Sequence, residues 1–164
     1  MESYLIVYTF VVLTTSMVSG DKIIRFPTPF HKAGLSLMLT ANLLTERVNT
    51  VLKPYGISEQ QYNVLRVLEG QRGNPINLRS IQERMIYKMS NTTRLVEKLK
   101  QKGLVERVIC EDNRRMVEIT ITNGGIELLK YLAPIMKVHI ISSFENLKAK
   151  EANQLTALLE KIRG

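Results

Sequence analysis

Polar side chains of several kinds gather at the start of one predicted helix, residues 90–102 (SNTTRLVEKLKQK). At helical spacing its apolar residues fall on one side, whereas Ser90, Thr93 and Arg94 fall on the other. Ser90 is predicted to cap this helix and Gly103 to end it. Hydroxyl, amide and guanidinium groups at an exposed helix start suit the non-covalent binding of an anionic surface. We therefore interpret this segment as the recognition helix of a DNA-binding protein.

The positive charge of the chain is concentrated around this helix. The 164 residues include 23 Lys and Arg against 15 Asp and Glu, which gives a net charge of +8. Residues 79–107 alone contain eight basic and three acidic side chains, a net charge of +5. A basic segment around a candidate recognition helix favours nucleic acid as the partner over a merely solvated charged surface.

The sequence contains no recognisable catalytic or metal-binding motif. It has no glycine-rich phosphate loop, no Gly-x-Ser-x-Gly motif and no clustered His, Asp and Ser. His31 and His139 lie far apart, and Cys110 is the single cysteine, so an intrachain disulfide is excluded. We predict a protein that is not an enzyme, needs no cofactor, binds no metal and resides in a reducing compartment, the cytoplasm.

The elements of a helix-turn-helix precede the recognition helix. Ser58 and Gln61 form a capping box that opens a helix ending before residue 71. Asn77 is predicted to cap a short helix over residues 78–85, and residues 86–89 turn the chain into the recognition helix. In this arrangement the second helix enters the major groove. The turn contains no glycine, which departs from the usual form of the motif.

Two strands are predicted after Gly103, over residues 104–110 and 116–121. The charged residues between them, 111–115 (EDNRR), form the tip of a hairpin. A helix-turn-helix followed by such a hairpin predicts a winged helix, whose arginines contact the DNA backbone or the minor groove. A hairpin tip that is merely solvated is the alternative interpretation.

Long amphipathic helices flank this lobe. Thr28 and Pro29 are predicted to open a helix that extends to residue 53. Thr122 is predicted to cap a second long helix, which Pro134 kinks or breaks. A last helix is predicted over residues 150–162. The apolar faces exceed what a winged helix needs, which predicts a dimerisation domain. The predicted fold is mainly α with a small β-hairpin wing, a winged helix-turn-helix lobe plus a helical dimerisation domain.

The N-terminal segment is set apart from the rest by its composition. Residues 3–20 carry no charge, are slightly short for a membrane span, and follow no basic residue of the kind that opens a secretory signal. Packing against a subunit or partner, or an extension without function, is the favoured interpretation. We predict four parts: residues 1–27, apolar segment and connector; 28–57, N-terminal dimerisation helix; 58–121, DNA-binding lobe; 122–164, C-terminal dimerisation helices.

Between about residues 35 and 162 the chain resembles the MarR family of bacterial transcription regulators. The motifs that carry the resemblance are Gly56-Ile57-Ser58 with Gln61-Tyr62, TRLVEKL at 93–99, GLVER at 103–107, Asp112-x-Arg114-Arg115 with Val117, and Thr122-x-x-Gly125. The resemblance implies a homodimer with intertwined terminal helices whose two lobes bind a pseudo-palindromic operator in double-stranded DNA. It also implies repression relieved by a small ligand, often an aromatic or phenolic anion, in the cleft between the lobe and the dimer helices.

The resemblance also implies the DNA-binding residues, carried over by position. Those expected to contact bases or phosphates in or beside the major groove are Lys88, Ser90, Asn91, Thr93, Arg94 and Lys98. Arg114 or Arg115 is expected to enter the minor groove, and Asp112 to orient an arginine through a charge-assisted pair.

No effector-binding residues are assigned from the sequence. The tyrosines Tyr55, Tyr62 and Tyr87 can line a pocket, although aromatic residues at these spacings are more often core residues. Members of the family that sense oxidants carry a reactive N-terminal cysteine, whereas Cys110 is expected to be a strand residue.

Two hypotheses about function remain. The first is a homodimeric, sequence-specific DNA-binding transcription regulator, a repressor released by a small ligand. The second is a winged-helix protein-interaction module tethered to a membrane through residues 3–20. The first is favoured, and a membrane is not an expected partner.

Overall fold

The computed structural model describes residues 28–88, 90–109 and 117–164. The chain forms two compact units, Met1–Asn42, of which residues 28–42 are described, and Leu43–Gly164. The described part of the first unit is the beginning of a long helix. The second unit contains the elements of the predicted lobe and the C-terminal helices.

The described residues are mostly helical and include a small antiparallel sheet, which confirms the predicted fold class. The helices are α1 (Pro29–Leu52), α2 (Glu59–Glu69), α3 (Leu78–Arg84), α4 (Thr92–Gln101), α5 (Asn123–Ser143) and α6 (Ala149–Arg163), with a 3-10 turn at Lys53–Tyr55. The strands are β1 (Ile76–Asn77), β2 (Val105–Ile109) and β3 (Val117–Ile121).

The sheet contains one strand that sequence analysis missed. Its order is β1-β3-β2, and Val105 pairs with Ile121 in the antiparallel β2–β3 hairpin. On the other side of β3, Ile76 pairs with Ile119. The strand β1 has only two residues, so no alternation of apolar and polar residues could reveal it. It extends the predicted hairpin to three strands and joins the start of α3 to the sheet.

Local capping chemistry places most helix starts where the sequence predicts them. The backbone N–H of Gln61 donates to Ser58 Oγ (3.3 Å), and that of Ser58 donates to Gln61 Oε1 (3.0 Å), which completes the capping box. Asn77 Oδ1 accepts from the backbone N–H of Ser80 (2.8 Å). Because each cap satisfies a backbone donor that the helix itself cannot, these residues fix where α2 and α3 begin.

Helix α5 continues through Pro134, so of the two outcomes predicted there the break does not occur, and the kink stays a prediction. Leu132 and Met136 on either side of the proline are 0% and 6% exposed. Burial of two such side chains stabilises by about 1.5–3 kcal/mol each, enough to offset the roughly 3 kcal/mol that an internal proline costs.

A single apolar core holds the helix-turn-helix against the sheet. Its fully buried members come from successive elements: Leu52 of α1, Val64, Leu65 and Leu68 of α2, Ile81 of α3, Val96 and Leu99 of α4, Val105 of β2, Ile119 of β3, and Leu129 and Leu132 of α5. Because α4 contributes to this core along its whole length, the orientation of its other face is fixed.

The structure contains no membrane-spanning helix within residues 28–88, 90–109 and 117–164. None of the helices in these ranges combines the length and the apolar composition needed to cross a membrane. The apolar residues 3–20 lie outside the described residues.

Candidate DNA-recognition surface

Helix α4 has one buried face and one exposed face, as its sequence predicts. Thr92, Leu95, Val96 and Leu99 are all buried. The predicted DNA-binding residues Thr93, Arg94 and Lys98 are on the opposite side, where Thr93 and Arg94 are exposed. The apolar face determines which way the polar side chains point.

The cap of α4 differs from the prediction. The helix begins at Thr92, and Asn91 Oδ1 accepts from the backbone N–H of Arg94 (3.1 Å), so Asn91 and not Ser90 is the cap. Asparagine and serine are comparable caps, but Thr92 is only 5% exposed, and its burial sets the frame of the helix. Ser90 lies in the preceding turn, where its carbonyl accepts from the backbone N–H of Thr92 (2.9 Å). Its hydroxyl is buried and has no partner among the described residues.

The turn between α3 and α4 lacks glycine and is held by side chains of α2 and α3. Asn63 Oδ1 accepts from the backbone N–H of Ile86 (2.9 Å), and Gln82 Nε2 donates to the carbonyl of Lys88 (2.8 Å). Of the turn residues that the structure describes, 85–88, none has a positive φ. Over residues 85–88 the chain therefore turns without the left-handed residue that glycine usually supplies.

Tyr87 connects this turn to two neighbouring helices. Its hydroxyl donates to Glu59 Oε2 (2.9 Å) in α2 and lies 3.1 Å from Thr45 Oγ1 in α1. Burial raises the pKa of the Tyr87 phenol, the Thr45 hydroxyl opposes this rise, and the Glu59 carboxylate adds to it. The phenol therefore stays protonated at neutral pH and serves as the donor to Glu59.

Replacement of Tyr87 by phenylalanine is expected to lower the free energy of unfolding by about 1 kcal/mol, because Glu59 and Thr45 lose a hydrogen-bond partner. Chemical denaturation measures the change. Tyr62→Phe is the matched control, since the Tyr62 hydroxyl bonds to no other described residue. Equal losses in the two variants would contradict the anchoring role of Tyr87.

The other two tyrosines pack against the apolar core, where Tyr55 and Tyr62 are partly buried. The rings of Tyr55 and Tyr131 have centroids 5.7 Å apart with planes inclined by 60°, a favourable tilted pair that joins the 3-10 turn to α5. Neither residue gives reason to assign an effector site.

The charges on the outer face of α4 are predominantly positive. Arg107 Nη2 of β2 lies 3.1 Å from Glu97 Oε2, so the acidic side chain of α4 is paired. Within the described residues, Lys88, Arg94 and Lys98 form no ion pair. The face that points away from the core therefore presents unpaired cations beside hydroxyl and amide groups, which suits the phosphates and base edges of DNA.

The predicted wing residues fall outside the described residues. Ile109 pairs with Val117, the last pair of the β2–β3 ladder. Asp112, Arg114 and Arg115 follow Ile109 along the chain, as does Cys110, and their roles stay predictions.

Comparison with known proteins points to one family. The MarR family model matches residues 57–117. Transcriptional repressor MprA of Escherichia coli K12 is 27% identical over 128 residues, which cover 78% of this chain and 72% of that protein. The uncharacterised HTH-type transcriptional regulator YkoM of Bacillus subtilis is 31% identical over 109 residues, 66% of this chain and 70% of that protein.

Solved structures show the same likeness. A MarR transcription factor from Planctomyces limnophilus has a TM-score of 0.65 at 30% identity, covering 83% of this chain and 98% of that one. Sco3205 of Streptomyces coelicolor is a MarR family regulator solved in complex with DNA. It has a TM-score of 0.73 at 20% identity, and the match covers 87% of this chain and 91% of Sco3205. The identity to YkoM and to the Planctomyces protein, over most of their lengths, shows that this chain belongs to the MarR family of transcription regulators.

Proposed function

We propose that this chain is a homodimeric, sequence-specific DNA-binding transcription regulator that acts as a repressor and is released from its operator by a small ligand. The observation that carries the proposal is the geometry of α4. Its apolar face is fixed in the core, and its opposite face presents Thr93, Arg94 and Lys98, none of which forms an ion pair within the described residues. Its relatives support repression, since one of them is named a transcriptional repressor.

In this proposal α4 lies in the major groove. Arg94 is positioned to donate two hydrogen bonds to a guanine edge, and Lys88 and Lys98 to contact phosphates. The amide oxygen of Asn91 is occupied in capping the helix, so Asn91 has its Nδ2 group to offer to DNA. The Ser90 hydroxyl is buried, so it would have to be uncovered before it could contact DNA.

A second copy of the chain is the proposed partner of the C-terminal helices. Large apolar side chains are exposed along these helices: Val138, Ile140 and Ile141 of α5, Phe144 and Leu147 of the connection, and Leu155, Leu158 and Ile162 of α6. Such a concentration of apolar surface is characteristic of an interface between subunits. Two copies related by a two-fold axis would read a pseudo-palindrome.

Family membership supports the remaining features of the proposal. The protein is not an enzyme, acts in the cytoplasm, and responds to a small aromatic or phenolic effector. A membrane-tethered interaction module, the alternative hypothesis, is not favoured by the relatives, which are transcription regulators.

The wing provides a test of DNA binding. Arg114→Ala and Arg115→Ala are each expected to weaken binding to all duplexes, operator or not, and to reduce the slope of log affinity against log salt by about one for each phosphate that the arginine neutralises. Fluorescence anisotropy at several salt concentrations measures both quantities. Arg163→Ala, which removes the same charge from the end of α6, is the control. Affinity and salt dependence that are unchanged in both wing variants and in Arg94→Ala would overturn the proposed function.

A further inference from the structure

Four polar side chains from three parts of the chain form a closed hydrogen-bond network beside the start of the recognition helix. Thr45 and Asn49 belong to α1, Glu59 opens α2, and Tyr87 lies in the turn before α4. Asn49 Oδ1 accepts from the backbone N–H of Glu59 (2.9 Å), and Asn49 Nδ2 donates to the carbonyl of Thr45 (2.9 Å). The Tyr87 hydroxyl closes the network through its bonds to the Glu59 carboxylate and the Thr45 hydroxyl.

Tyr87 is the side chain that connects the turn to α1. It is half-buried, whereas Ile86 and Lys88 on either side of it are exposed. Met85 is also buried, but it packs in the apolar core. Among the described turn residues, 85–88, Tyr87 alone forms a side-chain hydrogen bond to α1. The position of the turn relative to α1 therefore depends on this one hydroxyl.

Hydrogen bonds hold α1 at a point that its apolar packing does not reach. The α1 side chains that join the apolar core are Val48, Val51 and Leu52, all within the last five residues of the helix. Thr45 lies about one turn before them. Apolar burial is non-directional, whereas a hydrogen bond requires its donor and acceptor to be aligned. The bond between Thr45 and Tyr87 therefore adds a directional constraint between α1 and the turn that leads into α4.

We propose that Tyr87 is a positioning residue for operator recognition, which holds α4 in place relative to α1 and thereby sets the half-site spacing that the homodimer accepts. The proposal rests on the proposed function, because it requires two copies of the chain on one operator. The sequence predicts that α1 is a dimerisation helix, so the Thr45–Tyr87 bond would tie each recognition helix to the subunit interface. One added base pair moves a half-site by about 3.4 Å, which a hydrogen bond cannot follow by stretching.

Thr45→Val removes the link to α1 and leaves the bond between Tyr87 and Glu59 in place. Valine keeps the β-branched shape of threonine but has no hydroxyl. The variant is expected to bind mixed-sequence DNA as the wild type does, because α4 itself is unchanged. An operator selected from a random duplex library is compared with the same operator carrying one extra base pair at its centre. The ratio of the two affinities, measured by fluorescence anisotropy, is expected to shrink by about two- to tenfold, which corresponds to one neutral hydrogen bond.

Thr50→Val is the matched control, since it removes a hydroxyl from the same helix. Thr50 Oγ1 donates to the carbonyl of Glu46 within α1, so this variant should keep the wild-type ratio. Equal shrinkage in Thr45→Val and Thr50→Val, or a wild-type ratio in both Thr45→Val and Tyr87→Phe, would overturn the positioning role while the wild-type protein still bound DNA. Failure of the wild type to bind any duplex would instead overturn the proposed function, and the positioning role with it.

The double variant Thr45→Val/Tyr87→Phe tests whether the two hydroxyls act through their common bond. Tyr87→Phe already breaks that bond, so adding Thr45→Val should leave the affinity ratio of Tyr87→Phe unchanged. This result would support the proposal. Shrinkage in the double variant equal to the product of the two single effects would show that Thr45 and Tyr87 act independently, and the proposal would be overturned.

Discussion

Gly125→Ala is expected to lower the free energy of unfolding by about 3 kcal/mol or more, a large part of the stability of a domain of this size. A Cβ atom at this position would lie 2.3 Å from the carbonyl oxygen of Leu104 and 2.7 Å from Cγ1 of Ile121. The first is a backbone atom, and the second belongs to a side chain that is 8% exposed, so neither can move away without loss. Equilibrium denaturation in urea measures the change.

The close approach at Gly125 has a visible cause. The backbone N–H of Thr122 donates to the carbonyl of Leu104 (3.2 Å), and the Thr122 hydroxyl donates to the carbonyl of Gly103 (2.7 Å). These two bonds draw the first turn of α5 against the chain that leaves α4. The protein therefore needs a residue without a side chain where that turn meets the strand.

Gly124→Ala is the matched control. A Cβ atom there would meet its nearest neighbours at 3.6 and 3.7 Å, which is ordinary van der Waals contact. Because alanine favours the helix over glycine, this variant is expected to be neutral or more stable by about 0.5–1 kcal/mol. Equal destabilisation of the two variants would show that steric conflict with Leu104 is not the reason for glycine at position 125.

Arg94→Ala is expected to weaken binding to the operator by about 1–3 kcal/mol, or roughly ten- to a hundredfold, if the guanidinium reads a base. Arg94 is exposed on α4, forms no ion pair within the described residues, and follows the cap of the helix by one turn. The loss should be larger for an operator selected from a random duplex library than for mixed-sequence DNA. Anisotropy titrations with the two duplexes measure the difference.

Arg94→Lys tests whether geometry or charge matters at this position. Lysine retains the positive charge but cannot reproduce the planar pair of donors that arginine offers to guanine. Relative to Arg94→Ala, the Arg94→Lys variant should therefore regain more of its affinity for mixed-sequence DNA than of its affinity for the operator. Full recovery on both duplexes would mean that Arg94 contacts only phosphate.

Features that depend on a few neighbouring residues could be predicted from the sequence. Ser58 and Gln61 indicate the start of α2 because the capping box is formed within four residues. The buried face of α4 could be predicted for the same reason, since Leu95, Val96 and Leu99 recur at helical spacing within a single element. The order of these elements then identified the fold.

Features that depend on distant residues could not be predicted. Strand β1 exists because Ile76 meets Ile119, more than forty positions later, and its two residues show no pattern of their own. The turn before α4 is held by Asn63, which accepts from the backbone N–H of Ile86, a contact across 23 positions.

The hydrogen bond between Thr122 and Gly103 leaves no linker between the recognition helix and the helix that follows the wing. In a dimer held through α5 and α6, the separation of the two recognition helices would then be set by rigid elements. Each base pair inserted at the centre of an operator moves one half-site by about 3.4 Å and rotates it by about 35°. Because rigid elements join the two recognition helices, the dimer cannot adjust their separation to such a shift. The protein should therefore discriminate against operators of altered length as strongly as against operators of altered sequence.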